Sequence, residues 1–209
     1  MIRRTSGKIK KLIISVKSKT SSSTFPVKRA PPIIVHLGNV GLSSQGEELC
    51  AKTKKFAERF KGMNFVGIDI RGASSTQRNW KQMKLDAIKG LERLEDNSVS
   101  IIRSEMALGY YTEQIISADI TESIHDALDY SRKAMTIACR KLKPNGKLVI
   151  VADRVVSRKL SDLAQVCGFR RVTSEPVKNP SAISFWTNAY GKNQKVDWSK
   201  TMTTLSFYK

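Results

Sequence analysis

The sequence predicts an α/β fold: a seven-stranded, mostly parallel sheet with helices on both faces and an antiparallel C-terminal edge. From residue 33 onward, short apolar runs alternate with stretches of helical periodicity, as in strands joined by crossover helices. Several of those runs are continuously apolar and β-branched, which is how strands buried on both faces read. Beyond residue 168 the chain reads as strands with no helix between them, which suits an antiparallel edge.

The elements follow in order. "IIVHL" (33–37) is a short apolar strand, followed by the glycine-bearing turn "GNVGLSSQG". "EELCAKTKKFAERFKG" (47–62) is an amphipathic helix with Leu49, Phe56 and Phe60 on one stripe and Gly62 closing it. "NFVGID" (64–69) is the second strand, "WKQMKLD" (80–86) the third, and "SVSIIRS" (98–104) the fourth, entered through the turn "EDN". "ITESIHDALDYSRKAMTIACRKL" (120–142) is a long helix with Ile124, Leu128, Met135 and Ala138 inward. "KPNG" is a turn, "KLVIVAD" (147–153) the fifth strand, and "KLSDLAQVCG" (159–168) a helix ended by Gly168. "FRRVTSEPV", "AISFWTNAY" and "TMTTLSFYK" supply the strand-rich end.

A chain of 209 residues suits one domain with an appendage. The boundary falls at the Pro31-Pro32 break: residues 33–209 form the domain and residues 1–32 a basic arm. The arm carries many Lys and Arg, a Ser/Thr run and no Asp or Glu. Three readings fit it: a flexible arm that grips phosphates, a solvated tail, or an organelle-targeting peptide, since Ile9, Leu12, Ile13 and Val16 fall at helical spacing. The expected compartment is the cytoplasm, with the mitochondrion or another organelle as the alternative if the arm is a targeting peptide.

Across the chain 37 Lys+Arg face 18 Asp+Glu, a formal charge of +19. Such a surface attracts polyanions, RNA above all, although a lysine-rich composition of the source would give the same balance. No apolar run approaches the ~18 residues of a membrane span, so no membrane partner is expected. Cys50, Cys139 and Cys167 are scattered and the only histidines are His36 and His125, so no zinc-ligand spacing and no Cys/His nucleophile pattern exists. No metal is expected, and the cysteines read as buried thiols.

Three features fall at the carboxyl ends of predicted parallel strands, where ligands of open α/β sheets bind. Gly38 and Gly41 in "HLGNVG" let a ligand approach the backbone, or simply turn the chain. Asp69 ends a buried strand on a charge, at a cost unless solvent or a ligand meets it. It can accept both hydroxyls of a ribose, or cap the following segment. Asp86 beside Ala87 can face an adenine amino group across a shallow slot, though as a lone acid it is unremarkable. "GNVGLSSQG" does not match the G-x-G-x-x-G spacing of dinucleotide-binding oxidoreductases.

From about Pro32 to Lys209 the chain resembles the class I, Rossmann-like S-adenosylmethionine-dependent methyltransferases. The resemblance lies in "VHLGNVG", "FVGIDI", "LDAIKGLERLEDNSVSIIRSEMALGYY", "RKLKPNGKLVIV" and "LAQVCGFRRVTS". It implies S-adenosyl-L-methionine as cofactor. Gly38, Asn39 and Gly41 would lie under its methionine part, Asp69 on the ribose with Ile70 against the adenine, and Asp86 on the adenine amino group beside Ala87. It further implies Ser104, Glu105 and Met106 near the chemistry, with Ser104 on the cofactor's side and Glu105 as candidate catalytic base, or else a solvated carboxylate. Two positions depart from the family pattern: His36 stands where an acid is usual, and Val40 where a glycine is.

The "(N/D)-P-P-(Y/F)" segment used on exocyclic amines is absent, as are the cysteine of cytosine-C5 enzymes and the "PDPWPK"-type segment of tRNA guanine-N7 enzymes. The expected function is methyl transfer to RNA (rRNA or tRNA) or to an RNA-associated protein. The alternatives are a non-catalytic RNA- or ribosome-binding protein on the same fold and a small-molecule methyltransferase. Tyr110, Tyr111, Trp80 and Trp186 suit either base stacking or the core.

Overall fold

The computed structural model of the chain describes residues 30–38, 52–70, 72–104, 108, 121–177 and 202–209. The described elements belong to one unit, Pro31–Lys209. In chain order they are β1 (Ile33–Leu37), α1 (Lys52–Arg59), β2 (Asn64–Asp69), β3 (Ser75–Gln77), β4 (Trp80–Lys84) and α2 (Ala87–Glu92). There follow β5 (Val99–Ser104), α3 (Thr121–Lys141), β6 (Leu142–Asp153), α4 (Arg154–Leu163), β7 (Arg171–Pro176) and β8 (Met202–Tyr208).

The strands make one sheet in the order β3-β4-β2-β1-β5-β6-β8-β7. β4, β2, β1, β5 and β6 run parallel, while β3 and the pair β8-β7 are antiparallel to their neighbours. Among the described residues the sheet therefore has eight strands, where seven are expected from the sequence. The additional one is β3, three residues long, which pairs with β4 across a tight turn at Arg78-Asn79. Asn79 fixes that turn by donating from Nδ2 to the carbonyls of Ala57 (3.0 Å) and Met63 (3.2 Å). The predicted strand "AISFWTNAY", with Trp186, lies outside the described residues, as do Tyr110 and Tyr111.

Helices cover both faces. On one, Val35, Leu37, Ile68, Ile102, Leu148, Ile150, Leu205 and Phe207 alternate inward along their strands. They pack against Leu91 of α2, Met135 and Ala138 of α3, and Val156 and Leu160 of α4. On the other, Phe65 and Trp80 meet Ala57 of α1, with Phe56, Ile34 and Met63 around them. Trp80 is thus a core residue. Cys139 and Cys167 are buried free thiols, and burial pushes both up from the usual thiol range; Cys50 lies outside the described residues.

The turns fall where their residues require them. Asn145, in "KPNG", has φ 64° and Asn97, in "EDN", φ 54°, both in the left-handed region that asparagine tolerates. The β5–β6 ladder steps from Val99↔Leu142 to Ile101↔Lys147, so residues 143–146 loop out between them.

Candidate functional site

The chain leaves β1 for β2 and β4 on one side, then returns to β5 on the other, so the strand order reverses at β1. Crevices outside the carboxyl ends of strands at such a reversal are where open α/β sheets hold ligands. The register brings the relevant ends level: Leu37 lies beside Ile68 and Ser104, and Asp69 beside Lys84.

Gly38 follows β1 with φ 66°, which favours glycine, and its N–H donates to the Ile68 carbonyl at 2.9 Å. The backbone beside β2 therefore carries no side chain at the point where a ligand would cross it. Asp69 closes β2 and is only 4% exposed, while the next residue, Ile70, is 53% exposed. The Asp69 carbonyl accepts from the Leu85 N–H at 3.0 Å, holding the exits of β2 and β4 together. The next element after Asp69 among the described residues is the strand β3 and not a helix. Asp86 caps α2: extended at φ −65°, ψ 161°, it stands before the helix, and its side chain accepts from the Lys89 N–H at 3.1 Å. Ala87, the first residue of α2, is buried.

Ser104 ends β5 and is fully buried. Its Oγ accepts from the Leu108 N–H at 3.0 Å, and the Leu108 carbonyl accepts from Ser131 Oγ at 3.4 Å. Ser104 thus anchors the chain leaving β5 to α3, a link the sequence alone does not reveal. The structure so brings Gly38, Asp69, Ile70, Asp86, Ala87 and Ser104 to one rim of the sheet. Asn39, Gly41 and Glu105 lie outside the described residues.

His36 is buried on the α1 face, edge-on to Phe56 at 5.4 Å between ring centroids and to Phe65 at 6.5 Å. An aromatic cluster receives this ring well and would receive a carboxylate poorly. Among the described residues no helix is long and apolar enough to cross a membrane.

Capping makes a prediction of its own. Asp86→Ala should lower stability by about 1 kcal/mol in chemical denaturation, whereas Asp86→Asn, which caps equally well, should stay near the parent. Equal losses in both variants would assign Asp86 some role other than capping.

The fold is shared with solved structures of low sequence identity. A S-adenosylmethionine-dependent methyltransferase from Archaeoglobus fulgidus aligns over 86% of this chain and 86% of its own, at 13% identity and TM-score 0.50. The 1,6-didemethyltoxoflavin-N1-methyltransferase of Burkholderia thailandensis, solved with its substrate and S-adenosylhomocysteine, aligns over 86% of this chain and 71% of its own, at 12% identity and TM-score 0.51. No protein-family model matches the chain, and a search of curated protein sequences finds no match. The chain has the class I, Rossmann-like fold of S-adenosylmethionine-dependent methyltransferases.

Proposed function

We propose that the protein is an S-adenosylmethionine-dependent methyltransferase acting on RNA, rRNA or tRNA, or on an RNA-associated protein. The observation that carries the cofactor reading is the buried Asp69 carboxylate next to the exposed Ile70, at the strand reversal. A buried acid at a ligand-facing strand end and an apolar side chain open to solvent suit the two halves of an adenosine: hydroxyls to the one, a flat ring to the other. The bare backbone at Gly38 suits the close passage of the methionine part.

In this reading Asp69 binds the ribose, Ile70, Asp86 and Ala87 bound the adenine, and Gly38, Asn39, Gly41 and Ser104 line the methionine side. Asp86 would serve two ends: one oxygen accepts from the Lys89 N–H, and the other, 3.8 Å from the exposed Lys89 ammonium, has lone pairs to spare for an amino group. When bound, the cofactor supplies an electrophilic methyl group. The chain's part is to hold the acceptor in line with it. Glu105 is the candidate for taking a proton from an acceptor that must lose one.

The charge of +19 and the acid-free residues 1–32 support RNA as the acceptor's class. The deciding experiment incubates the full chain with methyl-labelled cofactor and total RNA, protein and small-molecule fractions. Label is expected in RNA. Label confined to the small-molecule fraction would overturn the acceptor while keeping the enzyme. A chain that binds RNA yet labels no fraction would favour the non-catalytic alternative.

A further inference from the structure

We propose that the solvent face of α4, together with the groove at its far end, is a track for the phosphate backbone of single-stranded RNA, leading to the methyl-transfer rim. The inference rests on RNA as the acceptor and adds where the strand lies. α4 starts at Arg154, directly after β6 ends at Asp153, so its first turn stands at the carboxyl rim of the sheet. Arg154 and Arg158 are both exposed and one turn apart, about 6 Å along the axis on a single face. One further turn on come Ser161 and Asp162, and then Gln165, which line an open groove of about 860 Å³ together with Arg170 and Arg171. Arg171 begins β7 beside Tyr208, which pairs with Lys147 near the start of the β5–β6 ladder, so the groove lies at the amino rim. The arginines therefore run from one rim of the sheet to the other.

The charge state of this face sets it apart. On α3, Asp129 takes Arg132 at 2.6 Å and Lys133 at 2.8 Å, and those two cations hold its carboxyl down to about 2. Nearby, Asp96 takes Lys141 at 2.7 Å and Arg140 at 3.4 Å. Among the described residues no carboxylate forms an ion pair with Arg154, Arg158, Arg170 or Arg171, although Asp162 stands one turn from Arg158. Exposed guanidinium groups without carboxylate partners are suited to forked, bidentate contact with phosphate. The Arg171 guanidinium carbon sits over the Tyr208 ring, 4.2 Å from its centroid, a cation–π contact that holds the cation at the groove. A small metabolite would use none of this length; a flexible polyanion would.

The test measures binding of the full chain to a fluorescent single-stranded RNA of mixed sequence, by anisotropy across a salt series. The variants are Arg158→Gln/Arg170→Gln and Asp162→Asn, with melting temperatures as the folding control. The double variant should bind roughly tenfold more weakly at low salt, and its log–log salt slope should be shallower by about 1.4, at about 0.7 per lost phosphate contact. Asp162→Asn, which removes the groove's carboxylate, should bind more tightly. If the parent binds RNA and the double variant keeps the parental slope, the strand lies elsewhere and the track is overturned, while RNA as acceptor class stands. If the parent does not bind RNA, the acceptor reading falls and the track with it.

Discussion

Asp69→Ala should weaken binding of S-adenosylmethionine and S-adenosylhomocysteine by on the order of 1–3 kcal/mol, roughly 5- to 150-fold in Kd by calorimetry. The carboxylate closes a central strand and is 4% exposed, so hydrogen bonds to a ribose there would be largely shielded from competing water. Asp69→Asn keeps an acceptor of the same shape and should lose less. The melting temperature of each ligand-free variant separates lost binding from lost folding. Unchanged affinity in a folded Asp69→Ala would place the nucleoside elsewhere.

Gly90→Val should destabilise the protein by about 3 kcal/mol, the upper end for overpacking a core. Gly90 sits inside α2, where glycine is otherwise a poor helix former. A Cβ there would come within 2.3 Å of Ile68 Cγ2 and 2.9 Å of Ile68 Cδ1. Ile68 is buried and β-branched, so it has little freedom to yield. The clash reaches the site as well, because Ile68 precedes Asp69 and its carbonyl accepts from Gly38. Cofactor affinity should therefore fall together with stability. Ile68→Ala alone should cost about 2–5 kcal/mol, yet in the double variant the two losses should add to less than their sum. Strict additivity, read from urea midpoints and slopes, would contradict the close approach of α2 to β2.

Much of the architecture is legible in the residues because the central strands are buried on both faces. "IIVHL" and "NFVGID" give β1 and β2 with the bounds observed, and "SVSIIRS" gives β5 to within one residue. The long helix is equally plain, its buried Met135 and Ala138 keeping the helical period. What escapes the sequence is what tertiary context creates. β3 is three polar residues that become a strand only by pairing with β4. α2 is six residues with a glycine inside, announced only by the cap at Asp86. α4 begins at Arg154 and not at 159, because Val156 and Leu160, four residues apart, both pack into the core, a contact that only the tertiary structure supplies. β6 begins at Leu142, before its turn, because Leu142 already pairs with Val99.

The site divides the same way. Asp69 is legible because an acid ending a buried strand asks for a reason. The commitments of Ser104 Oγ to Leu108 and of Asp86 to Lys89 are local hydrogen bonds that leave no mark in the order of residues. His36 reads as a departure from a family pattern, and the structure supplies its surroundings: a ring set against Phe56 and Phe65.

The most direct measurement is a crystal structure of the full chain grown with S-adenosylhomocysteine. The account predicts the adenosine lying over the carboxyl ends of β1 and β2. Both ribose hydroxyls should be within about 2.6–3.2 Å of the Asp69 carboxylate, and the adenine should lie against Ile70. The same ligand bound at another surface, or that rim filled by the protein's own side chains, would contradict it.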